Sequence, residues 1–183
     1  MLLDQRFLLV FPRKHLMAEI EEKRPVSTQA IGLGVSMMVC FAAGGIGGLA
    51  TTQGLDGWYD TLNKPTWNPP NWIFAPVWTT LYGLMGIAAW LVWRGGESKE
   101  VKPAIMFFTV QLVLNSVWSL LFFGLQNPGA ALIEIMVLWL AIVATTVLFF
   151  RRSMIAGGLM TPYLLWVSFA SLLNFAIWNL NRV

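Results

Sequence analysis

Residues 104–150 read AIMFFTVQLVLNSVWSLLFFGLQNPGAALIEIMVLWLAIVATTVLFF, and they decide the architecture. Glu134 is the one ionisable residue in this run. A membrane-crossing helix needs about 20 mostly apolar residues. The run therefore divides into two spans, Ala104–Leu125 and Gly129–Phe150, separated by a short polar connection. Three further stretches qualify on either side: Ala30–Thr51, Pro76–Trp93 and Met154–Leu180. The expected fold is an all-α integral membrane protein, a bundle of five transmembrane helices. The last stretch is long for one span and contains Pro162, so a loop or kinked turn is expected at its start.

Composition agrees. Of 183 residues, 57% are hydrophobic and 11% charged, and the mean hydropathy is +0.65. An ordinary soluble domain carries about 25% charged residues. A cytosolic enzyme, a disordered chain and a secreted disulfide scaffold are all excluded. Cys40 is the single cysteine and His15 the single histidine, so neither an intrachain disulfide nor a Cys/His metal site is expected. Walker, HExxH and CxxC motifs are absent. No cofactor is expected.

The net charge of +3 does not indicate nucleic acid, because the basic residues flank the spans rather than cluster on one face. Arg6, Arg13, Lys14, Lys23, Arg24, Arg94, Lys99, Lys102, Arg151 and Arg152 fall on one side of a five-span topology. Only Lys64 and Arg182 fall on the other. By the positive-inside rule the N-terminus is cytoplasmic, and a bacterial inner membrane is the expected location. Residues 1–29 read as a polar, disordered tail, within which Met17 opens MAEIEEKRP like a natural start. Residues 30–183 form the membrane domain.

The connection over residues 52–75 is long and holds Trp58, Tyr59, Trp67, Trp72 and Phe74 among three prolines. Aromatic rings of this number bury a large area when given a surface. The expectation is a folded cap over one end of the bundle, against the alternative of an interfacial aromatic belt. In the third span Gln111, Asn115 and Trp118 share one face, with Ser119 beside them. An amide in hydrocarbon must find a partner, either as glue between helices or along a cavity. In the fifth span Pro162, Trp166, Ala170, Asn174 and Trp178 recur every four residues, a stripe suited to a flat ligand. Glu134 is a candidate for an ion or proton path, or reaches the membrane interface. Gly44-Gly45-Ile46-Gly47-Gly48 permits close helix approach, within the bundle or in a homodimer.

The stretch WYDTLNKPTWNPPNWIFAPVWTTLY at 58–82 closely resembles the signature of the TspO/MBR family, which includes tryptophan-rich sensory proteins and the mitochondrial translocator protein (peripheral-type benzodiazepine receptor). QLVLNSVWSLLFFG at 111–124, PYLLWVSFASLLNFAIWNLN at 162–181 and ALIE at 131–134 extend the resemblance over about residues 30–181. It implies a five-helix bundle, often a homodimer. It also implies a pocket beneath the first loop for porphyrins and for synthetic isoquinoline and benzodiazepine ligands. Carried over by motif, the ligand-binding residues are Tyr59, Trp67, Asn68, Trp78, Asn115, Trp118, Trp166, Ala170 and Asn174. Some bacterial members are implicated in light-dependent porphyrin degradation. Trp78 and Trp166 correspond to the residues involved there; otherwise no catalytic residue is expected. The animal sterol motif is not matched: within LNFAIWN at 173–179, Phe175 and Asn179 stand at its tyrosine and basic positions.

The leading expectation is a membrane-embedded binding or regulatory protein for porphyrins and similar planar hydrophobes. Without a histidine in the spans, stacking and hydrogen bonds would have to hold a tetrapyrrole. The alternatives are a transporter of such compounds, a photochemical enzyme and a purely structural dimer.

Overall fold

The computed structural model describes residues 24–96 and 99–182. The expected disorder of the N-terminal tail concerns residues that lie mostly outside this range. Among the described residues, five helices are long and apolar enough to cross a membrane. They are α1 (Val26–Gly54), α2 (Phe74–Arg94), α3 (Val101–Ser119), α4 (Pro128–Arg152) and α5 (Met154–Asn181). Each follows its predicted span within a few residues. Pro25 opens α1. Asn127 caps α4, its side-chain oxygen accepting from the Ala130 N–H, with Pro128 in the first turn. Ser153 alone links α4 to α5, in extended conformation, and its hydroxyl caps Ala156.

Two expectations need correction. Pro162 lies inside an unbroken α5, not at a loop or break. A proline only eight residues into a helix removes one bond, and a bundle neighbour can hold the rest of the turn. The first connection is also shorter than residues 52–75. The chain stays helical beyond Thr51, passing from α1 into a wide π-type turn at Leu55–Tyr59. Gly57 sits there at φ +119°, a conformation that L side chains rarely adopt. Only about residues 62–70 are irregular, before a short 3₁₀ turn at Asn71–Ile73 leads into α2.

A second π-type turn, Leu120–Gly124, extends α3 beside the end of α1. Neighbours on a regular α-helix point about 100° apart. Here Phe122 and Phe123 are both buried, and Tyr59 packs on both at 6.3 and 5.8 Å between ring centroids. Gly54 makes the approach possible, since a Cβ there would lie 2.8 Å from the Phe123 carbonyl oxygen.

The helices close into a ring in the order α1, α2, α5, α4, α3 and back to α1. The main core fills the bundle with Met85, Phe108, Ile142, Phe149 and Met160. A second cluster at the loop end comprises Tyr59, Phe122, Phe123, Ala131, Leu173 and Ile177. At the opposite end Arg24 lies over Trp93, Arg94 over Trp90, and the Arg152 guanidinium donates to the Gly95 carbonyl. The alternation of helices thus gathers the basic residues away from the loop.

Candidate functional site

The loop is folded by its own polar groups. The Tyr59 hydroxyl donates to Asn68 Oδ1 at 2.7 Å. Lys64 donates from Nζ to the carbonyls of Tyr59, Asp60 and Leu62 while lying 4.8 Å from the Tyr59 ring. The Asn63 N–H donates to Asn181 Oδ1, and Asn181 Nδ2 donates back to the Asn63 carbonyl, both at 2.9 Å. Trp67 is half-exposed and packs edge-on against Phe169 at 5.8 Å. The expected cap is therefore present, although Trp72 is 73% exposed and does not join it.

Beneath the loop lies a small chamber of about 40 Å³, lined mainly by aromatic rings. Tyr59 and Phe74 come from the connection and the start of α2, Trp78 from α2, Trp118 from α3, and Trp166, Ala170 and Asn174 from α5. Trp118 stacks on Phe122 at 5.4 Å. Its indole N–H donates to Asn174 Oδ1 at 3.1 Å, and Asn174 Nδ2 donates to the Pro128 carbonyl at 2.8 Å. Asn174 thus ties α3, α4 and α5 together in one wall. Phe74 meets Trp166 edge-on at 6.2 Å, and Trp78 meets Tyr163 likewise at 6.2 Å. Trp90, Trp118 and Trp139 donate their indole N–H to protein oxygens. Those of Trp78 and Trp166 have no hydrogen-bond partner among the described residues. Burial pushes the Tyr59 phenol up to about 12, with the nearby Asp60 charge adding to the effect and Asn68 offsetting part of it.

Six of the nine motif-derived residues therefore meet around the chamber, and three stand outside it. Trp67 covers Phe169 from the loop. Asn68 holds the Tyr59 hydroxyl. Asn115 lies deeper, accepting from the Tyr82 hydroxyl at 2.5 Å and donating to the Tyr163 hydroxyl at 3.1 Å. It joins α2, α3 and α5, the glue reading of an amide in hydrocarbon. Gln111, one turn below and fully buried, has an Oε1 without a hydrogen-bond partner among the described residues. Both Glu134 carboxyl oxygens are buried and likewise lack one.

Sequence reasoning missed Tyr82 and Tyr163. The signal was available: they are the only phenols in the predicted spans, and an O–H in hydrocarbon must find an acceptor. It also missed Phe169, Leu173 and Ile177, which form a second stripe beside Trp166–Ala170–Asn174 and line the same chamber. Pro162 and Trp178, the ends of the expected stripe, do not line it. Phe175, at the departed sterol position, is half-exposed on the outside of α5.

A five-helix bundle, a clasped loop and three converging indoles are a specific combination. The TspO/MBR family pattern matches residues 36–179. The chain belongs to the TspO/MBR family. It is 45% identical over 157 residues to the tryptophan-rich protein TspO of Chlorobaculum tepidum, covering 85% of this chain and 99% of that one. It is 45% identical over 146 residues to the tryptophan-rich protein TspO of Archaeoglobus fulgidus, covering 80% and 94%. It is 40% identical over 127 residues to the translocator protein of Homo sapiens, covering 68% and 75%. As a TspO/MBR member it is a multi-pass membrane protein.

Proposed function

We propose that this TspO/MBR protein binds porphyrins and similar planar hydrophobic molecules among the rings beneath its first loop. One observation carries the reading. Trp78 and Trp166 face a common chamber, and neither indole N–H has a hydrogen-bond partner among the described residues. Two such rings offer stacking faces and two donors to a flat ligand with polar edges. Ligand pockets typically enclose about 300–1,000 Å³, so the chamber of about 40 Å³ must widen on binding. Titration with protoporphyrin, read by tryptophan fluorescence, tests the proposal. Saturable quenching is expected, weakened by Trp166→Ala and by Trp78→Phe. Absent or mutation-insensitive quenching refutes it.

Binding is favoured over transport by what lies below the chamber. The Tyr82–Asn115–Tyr163 tie and the packed Met85, Phe108, Phe149 and Met160 obstruct the bundle axis toward the basic end. Flux into proteoliposomes above protein-free leakage would reverse this preference. Light-driven loss of porphyrin absorbance that requires Trp78 and Trp166 would add a photochemical activity.

The charge distribution supports an inner-membrane location with the basic end in the cytoplasm, testable by reporter fusions at the two termini. A homodimer is supported by α1. Only 11% of its apolar stretch is buried, against 33–39% in the other helices, and Ile31, Val35 and Met38 are exposed along its first half. Light scattering of the purified protein tests this.

A further inference from the structure

A second, larger cavity opens beside the chamber. It is a groove of about 350 Å³ at the seam of α1 and α2, running from Phe41 to Leu55 on one side and from Asn71 to Tyr82 on the other. Thr51, Phe74 and Trp78 line both groove and chamber. The wall between the two is therefore a few side chains thick. Trp78 is its main element, held by ring contacts to Tyr82 at 5.7 Å and Tyr163 at 6.2 Å, with no hydrogen bond on its indole among the described residues.

The floor of the groove explains the glycine run in α1. Gly44 and Gly47 seat the helix inside its own bundle, where an added Cβ would meet Tyr82 at 2.6 Å and Ser119 Oγ at 3.1 Å. Gly45 and Gly48 have no such role, because a Cβ at either would meet no described residue within 4 Å. Both line the groove and leave it bare at a depth where Ile46 and Leu49 alongside are exposed. The groove also has polar points. Ser119 Oγ lies in it with no hydrogen-bond partner among the described residues, beside the Asn115 amide. A plain lipid-facing surface needs neither.

We infer that this groove is a membrane-facing vestibule through which planar hydrophobic molecules with a polar edge pass Trp78 into the chamber. The inference rests on the binding function proposed above and adds the route. The opposite approach, from water through the loop, is obstructed by the Asn63–Asn181 pair, the Tyr59–Asn68 bond and the three Lys64 bonds. A hydrophobic ligand is concentrated in the bilayer, so the lateral route meets it where it is most abundant. Rotation of Trp78 would join chamber and groove and supply the room a flat ring system needs.

The test uses full-length protein in lipid nanodiscs with protoporphyrin as probe, followed by stopped-flow tryptophan quenching. Gly48→Leu fills the vestibule without touching the chamber, and glycine-to-leucine is favourable to helix formation. Association and dissociation should both slow by about tenfold while the equilibrium affinity changes little, as for a narrowed passage. Gly45→Leu should act in the same direction. Trp166→Ala, in the chamber, should instead weaken the affinity. Unchanged rates in both glycine variants overturn the vestibule and leave the binding function standing. No saturable quenching by the unmutated protein overturns the binding function and the vestibule with it. A slowdown that appears only with a change in oligomeric state, read by light scattering, assigns the groove to a second copy and overturns the proposal.

Discussion

Asn63 and Asn181 exchange a reciprocal pair of hydrogen bonds, each 2.9 Å long, between the first loop and the last turn of α5, 118 residues apart in sequence. Asn181 Nδ2 also donates to the Ile177 carbonyl one turn back. The side chain thus fixes the loop to a helix whose previous turn, at Ile177, lines the chamber. Loop closure and chamber geometry are coupled through one residue.

Asn181→Ala should release the loop. Of the three bonds lost, the two to the loop are worth about 1–2 kcal/mol together, given net values near 1 kcal/mol per bond. Thermal unfolding in detergent should fall accordingly. Limited proteolysis should cut within residues 62–70 faster than in the unmutated protein, and an unchanged cleavage rate would show that the loop is held elsewhere.

Asn174 and Ala170, neighbours on one stripe, should respond differently. Asn174→Leu leaves the Trp118 N–H and the Pro128 carbonyl without their partner, at about 1–3 kcal/mol for each orphaned group. Its main effect is on stability. Ala170→Leu instead projects bulk into the chamber between Trp166 and Asn174. It should abolish the rise in melting temperature that a ligand bound only by the folded state produces. Thermal scans of both variants with and without protoporphyrin separate the two effects.

Gly54→Ala drives a methyl group against the Phe123 backbone. Overpacking of this kind costs about 1–3 kcal/mol. Gly57→Ala meets no neighbour, yet its φ of +119° penalises any side chain, by about 1–2 kcal/mol. Chemical denaturation should rank both below Gly48→Ala, which occupies open space in a regular helix.

Tyr59 supplies a pH dependence. Its phenol is neutral at pH 7, and burial moves it from 10 up to about 12 in the folded protein. The folded state therefore holds this proton more tightly than the unfolded state. The stability it contributes is complete below pH 10 and declines as pH rises toward 12. The difference in melting temperature between the unmutated protein and Tyr59→Phe should be flat from pH 6 to 9 and shift in favour of Tyr59→Phe above pH 10. A constant difference across the whole range would contradict the burial argument.

The spans were readable because a bilayer imposes a length and a polarity on any helix that crosses it. Residues 104–150 met both requirements twice, whatever their neighbours. The motif around Trp67 and Asn68 marked the loop, but it marked the clasp rather than the chamber wall. A loop residue's direction depends on backbone turns that no helical period describes. The two π-type turns at Leu55–Tyr59 and Leu120–Gly124 were also hidden, since nothing in a run such as LLFFG distinguishes a widened turn from a regular one.

The sequence by itself determined five crossings, their alternation, the basic end and the family, because these follow from hydropathy, charge and motif along one dimension. Only the tertiary structure decided that Trp78, Trp118 and Trp166 meet while Asn115 binds helices instead, and that the glycine run of α1 both seats the helix and lines a groove. Those outcomes depend on which helix faces abut and at what rotation, and that is settled by packing between segments remote in the chain.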